Sequence, residues 1–177
     1  MSRIRIATAS LAASAAVLVA IAVHEDYRGS AYLPTPNDRP TVGFGSTRRA
    51  DGSPVRPGDT TTPVRALIHL HHDINATEAA LHRCIGDVPL DQHEWDAYVS
   101  LAYNIGPTAF CSSTLVKKLK ASPPDYAGAC RQILRWDKQA GRVLPGLVKR
   151  REAEYRLCLT PVPGPSPSSP TPSPATP

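Results

Sequence analysis

Apolar positions change their spacing several times along the chain, and each change marks an element. Ile6 to Val23 is an unbroken uncharged run preceded by Arg3 and Arg5. Tyr32-Leu33 and Thr41 to Phe44 then read as short strands, joined by a turn that holds Pro34, Pro36, Asn37, Asp38 and Pro40. Period-two alternation places Thr41, Gly43 and Gly45 on one face and Val42 with Phe44 on the other. That predicts a bare glycine face open to a bulky ligand and a second face supplying core. Gly29 is placed to end the preceding helix in the left-handed conformation. Arg48 to Thr62 is a polar loop. Thr62-Pro63 then reads as an N-cap and first helical position, with Gly86 as the stop. The span 63–85 is predicted as one helix of about 35 Å at 1.5 Å per residue, able to bridge two lobes.

The clearest helical signature follows. Asp91 caps, Glu94 closes a capping box, and Trp95, Tyr98, Val99, Ala102 and Ile105 form an apolar stripe that Gly106-Pro107 ends. Further helices are predicted at Ser113 to Lys120, Asp125 to Lys138 and Pro145 to Leu159. A small segment with short strands followed by a mainly helical lobe is an α+β arrangement.

Composition trims both ends of this picture. In a chain of 177 residues, positions 161–177 are almost wholly Pro, Ser, Thr, Gly and Ala, which cannot bury enough apolar surface to offset the entropy of ordering. They are expected to be a disordered tail. In the run from Ile6 to Val23, eight of eighteen residues are Ala, so its hold on lipid is marginal. Arg3 and Arg5 place its N-terminus in the cytoplasm and the remainder outside. Ala20-Ile21-Ala22 matches a signal-peptidase site, but cleavage there would remove the helix that holds Glu25, so an uncleaved export anchor is favoured. The expected organisation is a signal-anchor at 1–23, a catalytic domain at 24–160 and the tail.

A net charge of +5 suits a polyanionic partner, but the basic residues are scattered. Arg48-Arg49, Lys117-Lys118-Lys120 and Lys149-Arg150-Arg151 read as solvated helix faces, and no aromatic interleaving or zinc spacing points to nucleic acid. Cys84, Cys111, Cys130 and Cys158 contain no C-x-x-C pair and fit two disulfides in an oxidising compartment. Three pairings are open, Cys84–Cys111 with Cys130–Cys158 favoured, and free buried thiols are the alternative. His69, His71, His72 and Asp73 lack a further ligand at a recognisable spacing and read as an exposed polar face. No metal and no cofactor are expected.

The chemistry lies in His24-Glu25-Asp26-Tyr27-Arg28-Gly29 and in Thr41-Val42-Gly43-Phe44-Gly45-Ser46-Thr47. Glu25 stands near a helix end and Asp38 beside the glycine-rich strand. Two carboxylates across a cleft suit glycosidic cleavage, in which one protonates the leaving oxygen and the other supports an oxocarbenium-like centre or activates water. Near neutral pH the first must hold its proton, most simply through partial burial against apolar neighbours. Trp95, Tyr98 and Trp136 read as core, Asn104 as a cap or brace, and Arg28 and Tyr32 as supporting or structural.

These motifs, with Trp95 to Gly106, Ser113-Thr114-Leu115, Trp136 and Gly146 to Arg151, resemble phage-type lysozymes, the endolysin family that shares the fold of the T-even phage lysozyme. The resemblance runs from about Glu25 to Cys158, and the weakly apolar N-terminus resembles the signal-anchor-release subgroup. It implies a lysozyme-like α+β fold and a monomer that hydrolyses the bond between N-acetylmuramic acid and N-acetylglucosamine in peptidoglycan glycan strands. It also implies tethering at the inner membrane, release to the periplasm, and host lysis. Glu25 matches the family acid and Thr41 the threonine that positions water. The usual spacing of the middle member, six residues before Thr41, lands on Thr35. Asp38 is assigned instead, because a hydroxyl cannot carry the required negative charge. A lytic transglycosylase acting on the same bond and a non-catalytic wall-binding, membrane-tethered protein are the alternatives.

Overall fold

A computed structural model describes residues 5–36 and 38–160. The expected tail at 161–177, together with Arg3 and Asn37, lies outside the described residues. Among the described residues, seven α-helices and two small antiparallel hairpins are built around one core, an α+β fold.

Residues 5–14 lie as an extended strap, with one 3-10 turn, along the start of the central helix. The Arg5 guanidinium donates to both Glu94 carboxylate oxygens at 2.9 and 3.0 Å and stacks on the Tyr126 ring. Ile6 and Leu90 exchange backbone hydrogen bonds at 3.1 and 2.9 Å, and the Thr8 hydroxyl donates to the Val88 carbonyl. Ser14 then serves two elements. Its hydroxyl accepts from Val17 N, capping helix α1 (Ala15–Glu25), and donates to Asp96 at 2.6 Å. α1 buries Val17 and Ile21 one turn apart, while Ala15, Ala16, Val19, Ala20 and Val23 face solvent. The helix is therefore apolar all round but covered on one side only. No described helix is long and apolar enough to cross a membrane.

α1 ends at Glu25, four residues before the predicted stop. Asp26 takes the turn at φ 56°, and Gly29 instead lies inside strand β1 (Arg28–Tyr32). β1 pairs with β2 (Thr41–Gly43), Tyr32 opposite Thr41 and Arg28 opposite Gly43, with an irregularity between. The expected faces are corrected. Thr41 and Gly43 point inward, and a Cβ on Gly43 would stand 2.9 Å from the Ala66 side chain, so this glycine lets a helix pack closely against the strand. Val42 is only half-buried, while Phe44 does pack against the core.

Helix α2 (Pro63–Ile85) starts and stops where the punctuation predicted, with the Thr62 hydroxyl as cap and Gly86 at φ 72°. It buries Ala66, Leu70, Ile74, Leu81 and Ile85 along one face, linking the hairpin to the helical bundle. The capping box on α3 (Gln92–Ile105) is present. Instead of a stripe, α3 is buried nearly all round, since α1, α2, α4 (Pro107–Cys111) and α7 (Pro145–Cys158) surround it. Asp96 and Ser100 are inside for the same reason. α5 (Thr114–Leu119) matches expectation. The helix predicted at 125–138 is shorter: α6 (Tyr126–Gln132) gives way to a 3-10 turn, and a second hairpin follows in β3 (Lys138–Gln139) and β4 (Arg142–Val143). Both cysteine pairs are bonded, Cys84–Cys111 and Cys130–Cys158, which leaves no free thiol.

Candidate active site

Helix ends and a glycine turn converge on one cavity of about 470 Å³. Glu25 comes from the last turn of α1, Gly45, Thr47 and Arg48 from the turn after β2, Asp73 and Thr77 from mid-α2, and Tyr103 with Asn104 from the end of α3. Gly45 is needed there. It sits at φ 85°, and a Cβ would stand 3.3 Å from Glu25 Oε2. The other oxygen, Oε1, accepts from Arg150 Nη1 at 2.8 Å.

Arg150 belongs to a buried ionic cluster on α7. Its Nε donates to Glu154 Oε1 at 3.3 Å, an atom that also accepts from the Ser100 hydroxyl at 2.7 Å. Arg151 Nε pairs with Glu154 Oε2 at 3.1 Å, and its Nη2 donates to Asn104 Oδ1 at 2.8 Å. Two guanidinium groups and two carboxylates balance, which is the condition for keeping charges out of water. Burial pushes the Glu154 carboxyl up, opposed by Arg151 and by the Ser100 hydroxyl, and pushes the Arg151 guanidinium down. Burial, then Arg150, lowers His24 beside the site. The phenol of Tyr103 is pushed well up by burial, reinforced by the Asp73 and Glu25 carboxylates. It therefore remains a neutral donor, here to the Phe44 carbonyl at 3.2 Å.

The neighbour of Glu25 is thus a guanidinium rather than the apolar wall expected. One carboxyl oxygen is anchored by Arg150, which fixes where the Glu25 carboxyl stands in the cavity. Asp38 and Thr41 do not line this cavity. Asp38 is exposed at the hairpin turn, where its carboxylate accepts from Arg39 N at 2.9 Å. Thr41 is buried and its hydroxyl donates to the Arg39 carbonyl at 3.0 Å. The carboxylate that shares the cavity with Glu25 is Asp73, whose Oδ2 accepts from the Ser46 hydroxyl at 2.8 Å. Sequence reasoning missed it by reading it with the exposed histidines.

Arg150 and Arg151 were likewise assigned to a solvated face, yet both are buried. The available signal was their spacing: Glu154 lies four and three residues on, where oppositely charged side chains meet on a helix. Asn104 is a brace, as read, and also lines the cavity. Among the described residues, Asp91, His93 and Glu94 are grouped closely enough to hold a metal, but Arg5 and the helix cap already engage the two carboxylates.

With this geometry in view, the comparisons with known proteins are specific. The family model described as Phage lysozyme matches residues 22–154. The chain is similar to the endolysin of Acyrthosiphon pisum secondary endosymbiont phage 1, with 41% identity over 144 residues covering 79% of this chain and 92% of that one. It is also similar to the SAR-endolysin of Escherichia phage Mu, 44% identical over 85 residues, 48% of each chain. Among solved structures, the endolysin from Escherichia coli O157:H7 phage FAHEc1 superposes with a TM-score of 0.73 at 33% identity, covering 85% of this chain and 94% of that one. The chain belongs to the phage lysozyme family.

Proposed function

We propose that the chain is an endolysin that hydrolyses the glycosidic bond between N-acetylmuramic acid and N-acetylglucosamine in peptidoglycan and so lyses the host cell. The observation that carries this reading is the Glu25 carboxyl, held at 2.8 Å by buried Arg150 with its second oxygen open to the cavity. Glu25 donates its proton to the glycosidic oxygen as the carbon–oxygen bond breaks. Asp38 stabilises the positive centre that forms, and Thr41 orients the attacking water. Asp38 is supported by being a carboxylate in the connection that leads from β1 to β2. A second reading gives that role to Asp73, because its carboxylate lines the same cavity as Glu25.

Upstream, the weakly apolar segment tethers the chain to the inner membrane and later leaves it, delivering a monomeric catalytic domain at 24–160 to the periplasm. The uncovered apolar face of α1 supports this, as does the likeness to proteins named SAR-endolysins.

Digestion of purified peptidoglycan tests the assignments together. Glu25→Gln is expected to lower turnover about 10²–10⁴-fold, the usual range for a positioned acid. Of Asp38→Asn and Asp73→Asn, the deeper loss identifies the second carboxylate. New reducing ends report hydrolysis, whereas anhydro sugars would identify a transglycosylase and sink the hydrolytic reading.

A further inference from the structure

A second cavity, of about 410 Å³, lies between the first hairpin and the N-terminal half of α2. Its partition from the catalytic cavity is the Ser46–Asp73 hydrogen bond, with Ser46 lining one side and Asp73 the other. Arg48 borders both. Val42, Ala66 and Ile68 supply an apolar lining, while Arg48, Arg49 and Arg65 stand against a single carboxylate, Asp59. Asp59 is already bound to Arg49 at 2.6 and 2.7 Å. Among the described residues, Arg48 and Arg65 have no carboxylate partner, and Arg48 gives one N–H to the Gly52 carbonyl at 2.8 Å. The pocket thus offers two guanidinium groups without a carboxylate partner beside an apolar lining.

We propose that this pocket receives the carboxylate-bearing peptide stem of the glycan strand. The inference rests on the peptidoglycan reading above and extends it from the sugar chain to its substituent. Each muramoyl residue carries a short peptide rich in alanine methyl groups and carboxylates, and a strand seated at Glu25 must lay that peptide to one side. The pocket begins one side chain from the cleft and complements both features: guanidinium forks for the carboxylates, apolar carbon for the methyl groups. Arg48, at the shared border, orients the stem, and Arg65 holds its far carboxylate.

The test uses full-length Glu25→Gln protein titrated with soluble N-acetylglucosaminyl-N-acetylmuramoyl tetrapeptide, followed by backbone and guanidinium NMR signals. The same disaccharide without peptide and inorganic phosphate form the other arms. Signals of Arg65 and Ala66 should move with the peptide-bearing ligand and remain still with the bare disaccharide. Arg65→Ala should weaken binding of the peptide-bearing ligand about two- to fivefold, the range of an exposed ion pair, and Arg65→Lys should recover part of it. Equal shifts with phosphate, shifts confined to the Glu25 cavity, or unchanged affinity in Arg65→Ala would each overturn the proposal. In otherwise wild-type protein, Arg65→Ala should also lower the ratio of kcat/KM for intact over amidase-stripped glycan. Peptide-dependent shifts at Arg65 without cleavage of either substrate by wild type would sustain the pocket and count against the hydrolytic reading instead.

Discussion

Arg150 links the Glu25 carboxyl to the interior of the bundle. It touches Glu25 and Glu154 at once, so truncation strips Glu25 of its cation and leaves Glu154 with Arg151 alone. Arg150→Ala is expected to cost about 3–5 kcal/mol in urea unfolding, the range for removing one partner of a buried pair, and to depress activity beyond that loss. Arg150→Lys keeps the charge but not the fork that reaches both carboxylates, so it should recover stability only in part. Asp59 sets a pH signature of its own. Its hydrogen bonds from the Arg49 guanidinium, then from the Arg56 N–H, hold its carboxyl at about 2. A depressed carboxyl contributes in full above the unfolded-state value and loses that contribution as pH falls through the folded one. The Tm difference between wild type and Asp59→Asn should therefore be constant from neutrality to about pH 4 and shrink from there towards about pH 2.

α1 and α3 reach the cavity through their C-terminal ends and α2 through its middle, and the N-terminal strap fixes where α1 begins, at the Ser14 cap. Four buried carboxylates, on Glu78, Asp91, Glu94 and Asp96, face that strap from α2 and the start of α3. They are met by Arg5, by the Ala13 and Ser14 backbone N–H groups and by the Ser14 hydroxyl. The strap therefore adds a cation and further hydrogen bonds to buried groups that elsewhere find only single partners, Trp95 for Glu78, the Asp91 N–H for Glu94 and Gln92 for Asp96. Removing Arg5 leaves Glu94 without a cation, held by the Asp91 N–H alone. Arg5→Ala is expected to destabilise by about 1.5–3 kcal/mol, as for other hydrogen bonds to charged groups, and to speed hydrogen exchange at the Ile6 and Leu90 amides. Helix punctuation was legible here: Thr62-Pro63, Gly86 and the Asp91/Glu94 box act within a few residues of themselves. The end of α1 was not, because Asp26 adopts a positive φ that Gly29 seemed the better candidate to supply.

For the whole molecule, the unusual feature is a helix that holds Glu25 at one end and offers apolar side chains to solvent along its outer face. Val17 and Ile21 tie α1 to the core, while Ala15, Ala16 and Ala20 can be enlarged without touching it. Each Ala→Leu change there adds about 0.8 kcal/mol of lipid affinity per buried methylene and little to the folded packing. Ala15→Leu, Ala16→Leu and Ala20→Leu combined are expected to shift the protein into the membrane fraction and delay lysis. Unchanged fractionation and lysis would argue against a tethered form. The two disulfides, each closing a loop with a sequence separation of 27 or 28 residues, staple the helical end of the molecule and leave the strap and α1 outside any covalent loop.

Local signals determined most of the elements, because caps, proline and glycine stops and apolar periodicity act over one or two helical turns. They also singled out Glu25, through the motif around it and the strand that follows. Tertiary structure alone decided what surrounds that carboxyl. Arg150 lies 125 residues away along the chain, Asp73 turns towards the cavity from a helix turn whose histidines His71 and His72 are exposed, and α3 becomes buried nearly all round once four helices enclose it. Such choices depend on which groups must share a dry interior, a condition set by long-range packing and by the requirement that buried charges find partners.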